Sequence, residues 1–564
     1  MKILLAACNA KYIHSNPAVY DLRAFASEYK EHILLGEYTI NQTKDEILKE
    51  IYRSGAEVVC FSCYIWNISF VRELVPDLKK ILPQVEFWAG GPEVSYDAVE
   101  FLKKNPAFFG VMVGEGEETF HELAGYYIER KPETLSGIRG VAFRDENKGR
   151  DIVHTGWREL MDLSKVPFAY SNLTEFKNRI IYYESSRGCP FSCSYCLSSI
   201  DKKLRFRNLE LVKKELQFFL DKKVPQVKFV DRTFNCKHDH AMEIWKYILE
   251  HDNGVTNFHF EISADLLREE ELELMSRMRP GLIQLEIGVQ STNPDTIRAI
   301  HRNMDLKKLE ASVARVKSFG NIHQHLDLIA GLPCEDYESF RRSFEQVYRM
   351  KPDQLQLGFL KVLKGSSMYH EAQKYEILYK EKEPYEVLST AWLSYEDILK
   401  LKMVESMVEV YYNSGQFRKT LSWIETFYQE MFSFYESLGA YYEEKGYEEI
   451  SHSRLRRYEI LLEFLKEKTQ LPVNTASQHM VYDLYLREKL KKRPVFAMDQ
   501  KPYEASVRNY RKANKIPKTA HIEVFGDGSA VLFDYEARDP LTNNARAEQI
   551  FLERNPVNDI ETEA

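Results

Sequence analysis

Short apolar runs alternate with amphipathic stretches from the first residues of the chain onward. Residues 2–7, 32–38, 57–64, 85–89 and 110–113 are apolar or β-branched runs of strand length. Between them, 17–29, 44–54, 71–81 and 98–104 carry apolar residues at helical spacing, with Pro17 at a first-turn position. Strands alternating with helices in units of this length predict a Rossmann-like, doubly wound parallel sheet with helices on both faces. Ligands of such sheets sit beyond the carboxyl ends of the strands. The informative loops are therefore 9–16, 62–67, 90–93 and 114–117, which are rich in Gly, Ser, Asn and aromatic residues. No G-x-G-x-x-G follows the first strand, so a dinucleotide fingerprint is absent.

A connector follows, in which 137–144 and 150–156 predict a hairpin around the polar turn 145–149. The pattern then resumes. Strands are expected at 179–184, 226–230, 257–263, 282–287, 325–330 and 354–359, with helices at 209–221, 240–250 and 269–278. Six βα-type units predict a partial (β/α)6 TIM-type barrel, whose site lies at the C-terminal ends of its strands. Residues 381–468 read as mostly helical, and 472–492 as one more helix. Two strands at 521–525 and 530–535 flank Gly526-Asp-Gly-Ser529, a β-hairpin signal. Residues after about 540 read as a frayed polar tail. The expected organisation is α/β throughout the first two units: 1–134, a linker at 135–175, a barrel at 176–370, a helical region at 371–470 and an extension with the hairpin at 471–564.

One stretch carries the clearest chemistry. Ser186-Arg-Gly-Cys-Pro-Phe-Ser-Cys-Ser-Tyr-Cys-Leu197 places Cys189, Cys193 and Cys196 in a C-x3-C-x2-C array directly after the first barrel strand. Iron–sulfur clusters normally take four cysteines. Three thiolates leave one iron of a cubane open to a small ligand, which suits an iron that does chemistry. The same spacing also admits zinc, a disulfide or buried free thiols. Zinc usually wants a second Cys/His pair, and none follows nearby.

The bulk numbers change this picture little. The chain has 564 residues, 44% hydrophobic and 29% charged, as in an ordinary globular protein of several domains. A net charge of −8 without a strong basic block argues against nucleic acid as a partner. The eight cysteines show no secreted disulfide framework, and the apolar opening is too short for a signal peptide. No run approaches the ~18 apolar residues of a membrane span. A reducing cytoplasm and no membrane partner are expected.

The array, with an aromatic residue before its last cysteine, resembles the signature of the radical S-adenosylmethionine (SAM) superfamily. Gly288-Val-Gln-Ser291, Leu328-Ile-Ala-Gly-Leu-Pro333 and Leu360-Lys-Val-Leu-Lys-Gly365 look like further motifs of one branch. Ser62, Gly90-Gly91-Pro92 and Gly114-Glu-Gly-Glu117 resemble the cobalamin-binding domain often fused ahead of that barrel. The resemblance spans roughly residues 1–370; the remainder resembles a poorly characterised extension of a bacterial subgroup.

That resemblance implies a [4Fe–4S] cluster on Cys189, Cys193 and Cys196, with the methionine end of SAM on the open iron. Tyr195 would lie by the adenine, Arg302 would pair with the methionine carboxylate, and Glu261 and Gln290 would contact the cofactor at strand ends. Asp231-Arg-Thr-Phe-Asn235 ends the second barrel strand, near the methionine amine, but lacks a literal Gly-Gly-Glu. Ser62, Gly90, Gly91 and Glu115 would hold cobalamin. The Asp-x-His-x-x-Gly loop of many such domains is absent; His14 has the wrong spacing, which favours base-off cobalamin without a protein histidine. The implied reaction uses a 5′-deoxyadenosyl radical to methylate or rearrange an unactivated carbon of an unknown small substrate. Flavodoxin or ferredoxin would supply the electron. Two alternatives stay open. One is methylthiotransferase-like chemistry on tRNA or protein, with a second cluster on Cys8, Cys60 and Cys63. The other is an electron-transfer or binding protein, with Cys236 as a fourth ligand. Cys236 and Cys334 also read as small residues packed at turns.

Overall fold

The computed structural model describes residues 1–129, 134–146, 149–200 and 202–552. The first sheet contains β1 (Ile3–Asn9), β2 (Ile33–Thr39), β3 (Val58–Ser62), β4 (Glu86–Gly90), β5 (Gly110–Met112), β6 (Val141–Asp145) and β7 (Asp151–His154). Its order is β2-β1-β3-β4-β5-β6-β7. The strands β1 to β5 are parallel, while β6 and β7 run antiparallel. Every residue of β1 is buried, which explains its unbroken apolar run. The covering helix Lys44–Ser54 begins at a Thr43/Glu46 capping box and stops at Gly55, whose φ of 64° only glycine adopts freely. The hairpin expected in the linker is instead hydrogen-bonded onto β5, so the first sheet extends past residue 134 to His154. Residues 147 and 148 of its turn lie outside the described residues.

The second sheet is all parallel. Its strands are β8 (Ile181–Tyr183), β11 (Gln226–Phe229), β12 (Asn257–Ile262), β13 (Ile283–Gln290), β14 (His323–Ala330) and β15 (Gln354–Phe359), in chain order across the sheet. A short antiparallel pair, β9 (Ser186–Arg187) and β10 (Arg205–Phe206), brackets the cysteine array. Alternation along β13 and β14 separates two faces. Ile283, Leu285, Ile287 and Val289 join the core, as do Leu326, Leu328 and Ala330. The opposite face carries Lys228, His259, Glu261, Glu286, His325 and Asp327. Lys228 reaches Glu286 at 3.0 Å, His259 reaches Glu286 at 3.0 Å, and His325 reaches Asp327 at 3.1 Å. Where the pattern predicted a loop from Gly288, β13 continues to Gln290 through a register slip. Gln290 takes a φ of 72°, a strained conformation for a non-glycine residue.

Beyond β15 comes a second antiparallel pair, β16 (Leu378–Tyr379) and β17 (Val387–Ser389), where helix was expected. Helices follow at Tyr395–Met407, Arg418–Ile424, Met431–Lys445, Arg454–Lys468 and Val473–Arg487. They pack on the helix Tyr337–Arg349, which joins β14 to β15, through Phe344 against Phe432 and Tyr348 against Tyr435. The chain ends in a three-stranded antiparallel sheet, β18 (His521–Val524), β19 (Ala530–Arg538) and β20 (Ala545–Ile550). The third strand replaces the expected frayed tail up to residue 550; residues 553–564 lie outside the described residues. Its charged Arg546 and Glu548 hid it in the pattern, while Ala545 and Ile550 bury their side chains.

Candidate active site

The cysteine loop is tied down from three directions. The Ser194 N–H donates to the Ile300 carbonyl at 2.9 Å, the Met368 N–H donates to the Ser194 carbonyl at 2.8 Å, and the Cys196 N–H donates to the Cys193 carbonyl at 3.1 Å. Just ahead of the loop, buried Asp231 accepts from the Ser185 N–H at 2.9 Å and from the Ser185 and Ser186 hydroxyls, each at 2.6 Å. Gly188, with φ 96°, lets the chain turn into Cys189. Cys189 and Cys193 are buried and Cys196 partly so.

The three thiols border a cavity of about 170 Å³, together with Tyr195, Glu261, Gln290 and Arg302. Arg302 donates to the Gly288 carbonyl and to the Tyr195 hydroxyl at 3.3 Å, and lies 3.8 Å from the Cys193 sulfur. Burial raises the Cys193 thiol, and the Arg302 charge opposes it. Burial also raises the Glu261 carboxyl, against the pull of Arg232. Gln290 Oε1 and Arg302 Nε are buried without a hydrogen-bond partner. Orphaned polar atoms in a cavity await ligand groups, so the residues fit a polar cofactor such as SAM beside the cluster. Among the described residues, the trio close enough to share a single ion is Glu286, His325 and Asp327; the cysteines form no such group. That disfavours a zinc ion held by all three. A cubane instead takes each thiolate on a different iron.

A second cavity, of about 800 Å³, lies between the strand ends of the two sheets. Ser62, Gly90, Gly91 and Glu115 all line it, as does His14. A Cβ at Gly91 would stand 2.5 Å from the Cys63 carbonyl oxygen, so that glycine answers a backbone crossing. Trp66, Tyr96 and Trp157 stay partly exposed on its walls. The volume falls in the range of built ligand sites, and the exposed rings offer faces to a flat macrocycle. The residues therefore fit cobalamin. Glu115 is already engaged: it accepts from Arg205 at 2.9 Å and lies 3.4 Å from Arg187. These pairings hold its carboxyl below the ordinary range, against the burial that raises it. His14 Nδ1 shares a hydrogen bond of 2.7 Å with the Tyr182 hydroxyl.

The sheet separates the three N-terminal cysteines. Cys8 and Cys63 pack in the core on one face and Cys60 in the core on the other. Burial pushes the Cys8 thiol up to about 12. They do not converge on a second cluster. Cys236 lies in the turn after β11, and burial pushes its thiol up to about 11. Within the stretch 231–235 that the sequence pointed to, the residue it did not single out is Arg232, which lines both cavities. Only its place just beyond the end of β11 signalled it.

Comparison with known proteins fits this geometry. Residues 4–124 match the B12 binding domain, 183–347 the Radical SAM superfamily, and 373–527 a domain of unknown function, DUF4080. The chain thus carries a B12-binding domain, a radical SAM domain behind it and a DUF4080 region after that. The cofactors of these domains are a [4Fe–4S] cluster, SAM and cobalamin. More particularly, it is 27% identical over 306 residues to the cobalamin-dependent radical SAM methyltransferase TokK of Streptomyces tokunonensis, covering 50% of this chain and 44% of TokK. The chain spans about half the length of the first curated relatives it matches. Among solved structures, the cobalamin-dependent SAM radical enzyme OxsB aligns with a TM-score of 0.60 at 14% identity, over 86% of this chain and 78% of OxsB. The methyltransferase TsrM of Kitasatospora setae aligns at 0.55 and 16%, over 66% and 75%. At these identities the structural likeness concerns the fold.

Proposed function

We propose that this protein is a cobalamin-dependent radical SAM enzyme that methylates, or otherwise rearranges, an unactivated carbon of a small-molecule substrate. We read the six-stranded sheet as a partial (β/α)6 barrel and the antiparallel β18–β20 sheet as the elaborated C-terminal hairpin. The observation that carries the reading is the meeting of two cavities, one bordered by the cysteines and one by the strand-end loops of the B12-binding domain, with a shared wall at Arg232.

When bound, the cluster, SAM and cobalamin supply radical chemistry at carbon and a transferable methyl group. The chain supplies position and shelter. Arg302 has the planar fork that binds a carboxylate bidentately, and its Nε is unclaimed. Gln290, strained at a bulge, directs its amide into the same cavity. The apolar core on the other face of the strands keeps water from that side. We assign electron supply to flavodoxin or ferredoxin. The scattered Cys8, Cys60 and Cys63 count against methylthiotransferase-like chemistry, and the unpartnered polar atoms beside the thiols count against a purely electron-transferring cluster.

The test is anaerobic reconstitution with iron, sulfide and cobalamin. The wild-type protein is expected to bind about four irons, to retain cobalamin through gel filtration and to release 5′-deoxyadenosine from SAM under reduction. Cys193→Ala is expected to bring that release to background. A wild-type protein that forms no 5′-deoxyadenosine sinks the radical reading; one that forms it without retaining cobalamin sinks only the cobalamin-dependent part.

A further inference from the structure

The five donors of an arginine are met by protein groups where the side chain is buried, and by water or a ligand where it opens into a cavity. Five arginines line the two cavities. Arg158 donates to Glu122, Arg187 to Glu184 and Glu117, Arg207 to Glu215, and Arg302 to Tyr195 and Gly288. Arg232 differs. Among the described residues its side chain makes no hydrogen bond, its ion-pair partner Glu261 stands off at 3.7 Å, and 56% of its side-chain surface stays accessible. Arg232 lines both cavities.

Its backbone, by contrast, is fixed. Asp231 is bonded to Ser185 and Ser186, and the Thr233 hydroxyl lies 3.6 Å from the Cys189 sulfur. Tyr64 and Trp66, stacked with centroids 4.4 Å apart, line the large cavity on the side of the first sheet. A pinned main chain that carries a loosely paired, accessible guanidinium, beside an aromatic wall, is the construction of a recognition residue.

We propose that Arg232 binds a carboxylate group of the substrate and so holds the reacting carbon between the two cofactor sites. This rests on the radical SAM reading above. A carboxylate suits the charge balance better than a phosphate. Glu261 and Glu184 already act on the Arg232 charge. One loosely paired guanidinium accommodates a monoanion, and a dianion would meet repulsion from both carboxylates. Arg302 lies by the cysteines and serves the SAM side of the space; Arg232 serves the open side.

The test uses the full-length protein loaded with cluster and cobalamin. Phenylglyoxal modification at Arg232 is followed by peptide mass spectrometry, with phenylacetate, phenylacetamide or phenyl phosphate as the added probe. Phenylacetate is expected to slow modification of Arg232, while the neutral amide leaves it unchanged and phenyl phosphate protects less. By ligand-observed NMR, Arg232→Gln is expected to bind phenylacetate about tenfold more weakly, the loss of one charge-assisted hydrogen-bonded pair. Arg232→Lys, which keeps charge without the fork, should fall between. Cobalamin retention and SAM binding by Arg232→Gln should match wild type. Equal protection by the amide, better protection by phenyl phosphate, no protection by phenylacetate, or loss of either cofactor from Arg232→Gln overturns the proposal. A wild-type protein that neither retains cobalamin nor cleaves SAM overturns the underlying reading instead.

Discussion

Asp231 shows how one side chain sets the geometry of the site without touching a cofactor. Its carboxylate gathers three donors from Ser185 and Ser186 and so joins the end of β11 to the start of the cysteine loop. Burial pushes its carboxyl up to about 7, even though those donors favour the anion. The sign of the consequence follows from linkage. Unfolded, the group ionises near its ordinary value; folded, it keeps its proton to about 7. The folded state therefore binds more protons between these limits, and this group's contribution to stability is full at low pH and lost as pH rises from about 4 to about 7. Asp231→Asn keeps the shape but cannot ionise. Its urea midpoint, relative to wild type in cofactor-free protein, is expected to improve steadily across that window; a constant difference would refute the assignment. Asp231→Ala, which strands the three donors, is expected to cost about 3 kcal/mol and to lower iron incorporation.

At the scale of elements, the open edge of the second sheet is the exposed point. An edge strand presents unpaired backbone groups that must be covered. At β15 the cover is a side chain. Asn413 Oδ1 accepts from the Leu355 N–H at 2.8 Å, and its Nδ2 donates to the Leu355 carbonyl at 2.9 Å, as a neighbouring strand would. Asn413 ends a short π-helical turn, Val408–Asn413, whose wider winding is a recurrent device for re-aiming a residue. Asn413→Ala is expected to destabilise the protein by about 2 kcal/mol, read from denaturant unfolding, and to speed amide exchange at Leu355. Unchanged exchange there would show that the helical region covers the edge by packing alone.

At the scale of the molecule, the site exists only because two sheets face each other across their strand ends. The joint on one side is ionic, with Glu115 and Glu117 of the first unit on Arg205 and Arg187 of the second. The backbone joins too: the Ile180 N–H donates to the Ile13 carbonyl at 2.8 Å. On the far side, Lys364 reaches Asp97 at 3.2 Å and Tyr385 binds Glu93. Arg205 is buried, so Arg205→Ala leaves part of the Glu115 charge uncompensated. A loss of about 3 kcal/mol is expected, with faster proteolysis between residues 156 and 180. Cleavage no faster than wild type would mean that the far side alone holds the units together.

The sequence by itself determined the alternation of strands and helices, the strand-end position of the cysteine array and the loops around the large cavity, because hydrophobic period and cysteine spacing are local properties. The cysteine array needed no partner to be visible. Tertiary structure decided the rest. It drew 141–154 into the first sheet, since a hairpin pairs with whatever edge lies nearest. It carried β13 through the bulge at Gln290, where strain is sustained only by the packing around it. It divided Cys60 from Cys8 and Cys63 by the thickness of a sheet. It engaged Glu115 with Arg205 and left Arg232 only loosely paired with Glu261, an outcome no pattern along the chain encodes, because it depends on which distant charges the fold brings within reach.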